Sequence, residues 1–180
     1  SIGSGAIYEI DIVGSSDTAT YSKIISGAGS FLKSGLGDLT FDQVHTYTGA
    51  TNISAGKLKT TSTGSLSSST AVSVSSGATY ELGSDDEVGS ISGAGSINLG
   101  SSTLTSGGNN SDTTVSGTIS GTGGLIKSGT GKLTLTGAKS FTGGSTVSAG
   151  TLESQDSAMS SNVSIGSGAI YEIDIVGSSD

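Results

Sequence analysis

The chain predicts an all-β fold, a single-stranded parallel β-helix (solenoid) of about eight coils. Three observations carry this. First, apolar residues alternate with polar ones in short runs: Leu133 and Leu135 point one way, and Lys132, Thr134 and Thr136 the other, which is the period of a half-buried strand. Second, glycines break these runs at each end, as at Gly129, Gly131, Gly137, Gly143, Gly144 and Gly150, where the backbone must bend tightly. Third, large apolar residues recur 19 residues apart, from Leu39 to Leu58, from Leu133 to Leu152, and from Leu152 to Tyr171. A spacing of about 19–20 residues fits one turn of three short strands and three bends, and such turns stack into a solenoid. Strands of successive coils lie roughly 4.8 Å apart, so the stack rises on the order of 40 Å. A sandwich of short strands is the competing all-β fold; it calls for irregularly spaced hairpin turns and more aromatic residues than this chain has.

Internal repetition sets the organisation. Ser120–Leu152 lies without a gap over Ser26–Leu58, 94 residues earlier, with identical residues at Gly27, Lys33, Ser34, Gly35, Leu39, Gly49, Ala55 and Leu58, among others. A second identity is stronger: Ser1–Asp17, SIGSGAIYEIDIVGSSD, recurs at every position as Ser164–Asp180. Residues 1–163 therefore read as one unit of a tandem array, and 164–180 as the start of the next identical copy; an engineered duplication is the alternative source of that identity. Val72–Leu82 matches Val163–Ile173, so the unit divides into two related halves, 8–79 and 80–170.

Composition supports a stack. Only 32% of the 180 residues are hydrophobic and 4% aromatic, too few for an ordinary compact core of this length. A thin core shared between neighbouring coils resolves the conflict. There is no proline, which suits uninterrupted strand ladders. The absence of cysteine rules out disulfides and thiolate metal sites. A net charge of -8 with no arginine excludes a nucleic-acid partner. No apolar run approaches the ~20 residues of a membrane helix, so this stretch is expected not to insert into a membrane. Ser1–Tyr8 has no signal-peptide pattern.

In chain order, Ile7–Val13 is the most apolar strand, and Tyr21–Ile25 a further candidate. The first motif copy follows. Lys57–Thr70 is a polar strand and loop, Ala71–Leu82 alternates again, and Ser84–Gly89 reads as a charged turn. Val88–Leu104 holds short strands, Gly107–Thr114 is a turn cluster, and Val115–Ile119 leads into the second copy. Glu153–Asn162 is a looser loop before the unit restarts at Val163.

The second copy closely resembles the autotransporter-associated β-strand repeat, also called the passenger-associated transport repeat. The resemblance rests on Gly121, Gly123, Lys127–Ser128–Gly129–Thr130–Gly131, Leu133 and Leu135, Phe141–Thr142–Gly143, and Ser148–Ala149–Gly150–Thr151–Leu152. Leu99–Ser120 fits the stretch that usually stands before it. The first copy departs at Asp38 and at Phe41–His45. The resemblance implies a right-handed parallel β-helix, export through a bacterial outer membrane, an extracellular or cell-surface location, and a place in a large adhesin or autotransporter passenger.

The reactive residues form no catalytic constellation. His45 is the sole histidine and reads as a plain loop residue at a bend; no nucleophile-elbow pattern accompanies it. Glu9 and Asp11, repeated as Glu172 and Asp174, are i, i+2 on one strand face, about 7 Å apart by strand rise. That suits a carboxylate pair, but repetition once per unit points to a structural role. Asp85, Asp86 and Glu87 are the calcium candidates, on a turn with oxygen ligands, without an EF-hand or β-roll pattern. The expected function is a structural repeat, not an enzyme and without an obligatory cofactor. It forms a rigid stalk that contributes to cell adhesion, its partners being neighbouring repeats stacked head to tail. The alternative is a weak multivalent module for surface glycan or for itself, with calcium as a conceivable aid.

Overall fold

The computed structural model describes residues 1–155, 159 and 161–175. All 22 strands pair in parallel, and no helix occurs among the described residues. The first coil holds β1 (Ile7–Asp11), β2 (Thr18–Tyr21) and β3 (Ser26–Gly27). The second holds β4 (Ser30–Ser34), β5 (Asp38–Phe41) and β6 (Thr46–Tyr47). The third has β7 (Thr51–Ile53) and β8 (Lys57–Thr60). The fourth runs β9 (Ala71–Val74), β10 (Thr79–Glu81) and β11 (Asp86–Val88), and the fifth β12 (Ser90–Gly93), β13 (Ser96–Asn98) and β14 (Leu104–Ser106). The sixth comprises β15 (Thr113–Val115), β16 (Ile119–Ser120) and β17 (Leu125–Lys127), the seventh β18 (Lys132–Leu135) and β19 (Ser145–Val147), and the eighth β20 (Thr151–Gln155) and β21 (Val163–Ile165). β22 (Ile170–Asp174) then opens a ninth turn.

Three faces result. The first is a nine-stranded sheet from β1 to β22, the second a six-stranded sheet from β2 to β16. The third is broken into the pair β3–β6 and a five-stranded sheet from β11 to β21. The solenoid of about eight turns expected from the 19-residue recurrence is therefore present, and the recurring residues are the ones that stack. Leu39 lies over Leu58, and Leu58 over Tyr80; Leu133 lies over Leu152, and Leu152 over Tyr171. Side chains alternate inward and outward along each strand, so Leu133 and Leu135 are buried while Lys132 and Thr134 face out.

β1 and β22 carry the same sequence and lie at opposite ends of the same sheet. The 163-residue offset thus spans eight whole coils. The 94-residue offset does not: Lys33 of the first motif copy lies in the first face on β4, and its counterpart Lys127 in the third face on β17. Val72–Leu82 and Val163–Ile173 differ in the same way, spanning first and second faces in one case and third and first in the other. The motif fits two different placements because the faces ask the same thing of it, a short strand closed by a tight corner.

Aromatic side chains gather in the first two coils. Phe31 and Phe41 have ring centroids 5.0 Å apart, Phe41 and His45 4.0 Å, and Tyr8, Tyr21 and Tyr47 surround them. The departure of the first copy at Phe41–His45 is therefore a local change of core, from aliphatic to aromatic. His45 lies outside the strands, as expected of a loop residue, but it is buried. It is 2% exposed, and its Nδ1 accepts a hydrogen bond from the Ile25 amide of the coil beneath, at 3.0 Å. Asp86–Val88 is not a turn but strand β11. Residues 156–158 and 160 of the expected loop after Glu153 lie outside the described residues, whereas Glu153 itself belongs to β20.

The motif glycines stand where coils meet at the corners. A Cβ at Gly123, Gly131 or Gly143 would fall 1.8, 2.5 or 2.2 Å from a carbonyl oxygen of the preceding coil. Gly121 and Gly150 add positive φ to the same closeness. Gly129 combines φ 66 with a Cβ position only 2.0 Å from the Gly107 carbonyl. Gly77 has φ 82 but open space. Gly77→Ala should therefore cost only the left-handed backbone penalty of about 1–2 kcal/mol. Gly129→Ala must also push two coils apart and should cost at least about 2 kcal/mol more. Urea unfolding of the two variants checks this; equal losses would show that the corner yields freely.

Candidate functional site

The residues shared by both motif copies build one recurring site, a dry lysine cage. Lys127 ends β17 with Leu125 on the same inward side, and Ile126 faces out. Its side chain is 1% exposed. Nζ donates to the carbonyls of Ser128 (2.6 Å) and Gly129 (2.9 Å) in its own corner, and to Ala149 (3.3 Å) in the corner of the next coil. Lys33 repeats this atom for atom, donating to Ser34 (2.6 Å), Gly35 (2.8 Å) and Ala55 (3.3 Å). An ammonium has three donors and no acceptor, so three carbonyls satisfy it completely. Burial holds both ammonium groups below the ordinary lysine range, and nearby carboxylates oppose that: Asp112 for Lys127, Asp11 and Asp38 for Lys33.

Local sequence explains the cage. Gly129 and Gly35 have φ of 66 and 71, a conformation glycine adopts without a Cβ clash, and their carbonyls are among those the ammonium binds. A third cage follows in the next coil, where Lys139 donates to Gly137 (3.0 Å), Gln155 (3.1 Å) and Leu135 (3.4 Å). The residue 94 positions before Lys139 is His45, so imidazole replaces ammonium at that point of the first copy. Leu133, Leu135, Phe141 and Leu152 supply the apolar lining of the second copy, all of them at most 1% exposed.

The acidic candidates do not converge. Asp86 is 4% exposed; its carboxylate accepts from Tyr80 Oη, the Leu66 amide (3.1 Å) and the Glu87 amide (2.9 Å). Asp85 accepts from the Thr103 amide at 2.7 Å, and Glu87 is exposed on the opposite side of the strand from Asp86. Among the described residues no group of three His, Asp or Glu is placed to hold a metal ion. Glu9 is exposed, and its Oε1 accepts from Ser34 Oγ at 2.6 Å. Asp85, Asp86 and Glu87 border a cavity of about 410 Å³ lined from segments 44–48 and 65–69.

Burial pushes the Asp86 carboxyl up to about 6, against the pull of its three donors. The folded state thus holds this proton more tightly than an unfolded chain, where the value is 3.8. Asp86 therefore disfavours folding above pH 6 and ceases to do so as pH falls towards 4. Relative to the wild type, Asp86→Asn should lose about 2 kcal/mol of advantage between pH 8 and pH 4. Chemical denaturation at both values checks it; a pH-independent difference would contradict it. Lys127→Met strands three carbonyls and should cost about 3 kcal/mol. Lys127→Arg should not restore the loss, since a planar fork cannot meet three converging acceptors. Lys23→Met, at an exposed lysine, should leave stability almost unchanged; comparable losses at Lys127 and Lys23 would refute the cage.

No curated protein and no solved structure matches the chain. The family model of the passenger-associated-transport-repeat matches residues 31–59 and 125–153, and each match contains both ends of a lysine cage, Lys33 with Ala55 and Lys127 with Ala149.

Proposed function

We propose that this chain is a rigid stalk unit from the exported passenger of a surface or secreted bacterial protein. It is structural rather than catalytic, and it continues head to tail into identical copies. The observation that carries this is the whole-coil offset between β1 and β22. A copy beginning at Ser164 would restart in the face where the first copy starts, β22 matching β1. The exposed apolar residues agree. Among the described residues, eight of the ten large ones lie in the end coils: Ile7, Tyr8, Val13 and Ile24 at one end, and Ile165, Ile170, Ile173 and Ile175 at the other. Stacking would cover those on the inward phase, Tyr8, Ile165 and Ile173, whose strand partners Phe31, Val147 and Ser154 are buried, and burial of apolar surface is the main drive for such contacts.

Export fits the same architecture. The long-range bonds of the lysine cages span only 22 residues of sequence, so each coil can close on its predecessor soon after it emerges. The strand ladders among the described residues likewise join neighbouring coils, and nearest-neighbour stacking lets folding propagate coil by coil. The acidic balance keeps long arrays soluble.

A three-unit protein should scatter X-rays as a rod about 115–120 Å long, from eight coils per unit at about 4.8 Å each. Beads of single-unit length joined flexibly would overturn the stalk reading.

A further inference from the structure

The two motif copies differ in charge where each meets the coil that follows. Ninety-four residues separate Asp38 from Lys132 and Lys59 from Glu153, so these residues hold matching places. In the first copy Leu58 stacks on Tyr80, and Lys59 stands opposite Glu81. Charges alternate there: Lys57 pairs with Asp38 at 3.6 Å and with Glu81 at 3.1 Å, and Lys59 pairs with Glu81 at 3.1 Å. In the second copy Leu152 stacks on Tyr171, and Glu153 stands opposite Glu172. Two carboxylates directly opposite in a sheet repel. Lys132 bridges them: its Nζ pairs with Glu153 and, at 3.2 Å, with Glu172, reaching from β18 past β20 to β22. Glu172 lies in the stretch identical to Ser1–Asp17 and holds the place of Glu9 in a following copy.

We propose that Lys132 governs the joining of one unit to the next: it lets an acidic strand dock against Glu153, and the partner it fits is the first strand of an identical copy. This rests on the stalk reading and deepens it. Both halves of the contact are visible in one chain, because the five residues IYEID occur once above a preceding coil and once below a following one. As β22 the strand shows what it receives from the unit behind. Glu172 Oε2 pairs with Lys132, and Tyr171 Oη accepts from the Met159 amide at 3.0 Å. As β1 it shows what it offers the unit ahead. Glu9 Oε1 accepts from Ser34 Oγ at 2.6 Å, and Tyr8 Oη donates to Tyr21 Oη at 3.3 Å. The two sets do not compete. The glutamate uses one oxygen on each side, and a tyrosine hydroxyl can accept on one side while it donates on the other.

The charges respond to each other as such a bridge requires. Glu153 first, and Glu172 after it, hold the Lys132 ammonium above the ordinary lysine range, and Lys132 holds the Glu153 carboxyl below the usual carboxylate range. Without the lysine, an incoming glutamate would meet only the like charge of Glu153. A strand lacking that glutamate would forgo the bond to Lys132, so the bridge favours the unit's own copy over other strands.

The test is hydrogen exchange on a protein of two consecutive units, with β12 as the interior reference. Lys132→Met in the first unit should make seam amides exchange at least about 5-fold faster while β12 amides keep their rate. Adding Glu153→Lys reproduces the opposition of Lys59 and Glu81 and should return the seam to within about twofold of the wild-type rate. An unchanged seam in Lys132→Met, no recovery on adding Glu153→Lys, or an equal acceleration at β12 would each overturn the proposal and leave the stalk reading standing on its protected wild-type seam. A wild-type seam that exchanges like a free end strand would overturn both.

Discussion

Everything in this structure depends on each coil returning to its starting position after about twenty residues. Once it does, the backbone pairs with the coil above and below, and every inward side chain meets an inward side chain of the next turn. No coil has a core of its own. Ala19, Leu39, Leu58, Tyr80, Ile97 and Ile119 form a single column through the second face, and each member is covered only because its neighbours are present. This is how a chain with so few large side chains holds a fold. It also explains the glycines: corners of successive coils approach within contact distance, and a Cβ would separate the ladders it joins.

The lysine cages do at the corners what ladders do along the strands. At each cage three corner carbonyls converge on one point, and leaving that point dry and without a donor would be costly. One ammonium satisfies all three and ties one coil to the next. The charge is buried without a counter-ion in contact, which is tolerable because the carbonyl dipoles converge on it and carboxylates stand nearby on the outside. His45 shows a different solution at the position matching Lys139, using an imidazole acceptor for a backbone amide and an aromatic neighbour for packing.

Much of the fold was legible in the sequence, because a solenoid writes its period directly into the chain. The 19-residue spacings of Leu39 and Leu58, and of Leu133, Leu152 and Tyr171, turned out to be stacking partners. The site was less legible. Polar residues are ordinarily assigned to the outer face, yet Lys33, Lys127, His45 and Asp86 all point inward. Their partners are backbone carbonyls, a backbone amide or a tyrosine hydroxyl, none of which leaves a mark in residue types. A usable signal existed for the lysines: Lys-Ser-Gly recurs after 94 residues with Lys on the inward phase of an alternating strand. For Asp86 there was none, since Asp-Asp-Glu reads as a turn until Tyr80 is known to lie beneath it.

The most direct test of the account is native-state hydrogen exchange on a protein of two consecutive units. In the single chain, β1 and β22 each pair on one side only. In the two-unit protein the shared IYEID strand at the seam would be paired on both sides. Its amides should then be protected as strongly as those of β12, an interior strand of the same sheet. Seam amides that exchange as fast as those of the free end strand would contradict the account, because the two units would then meet without joining their ladders.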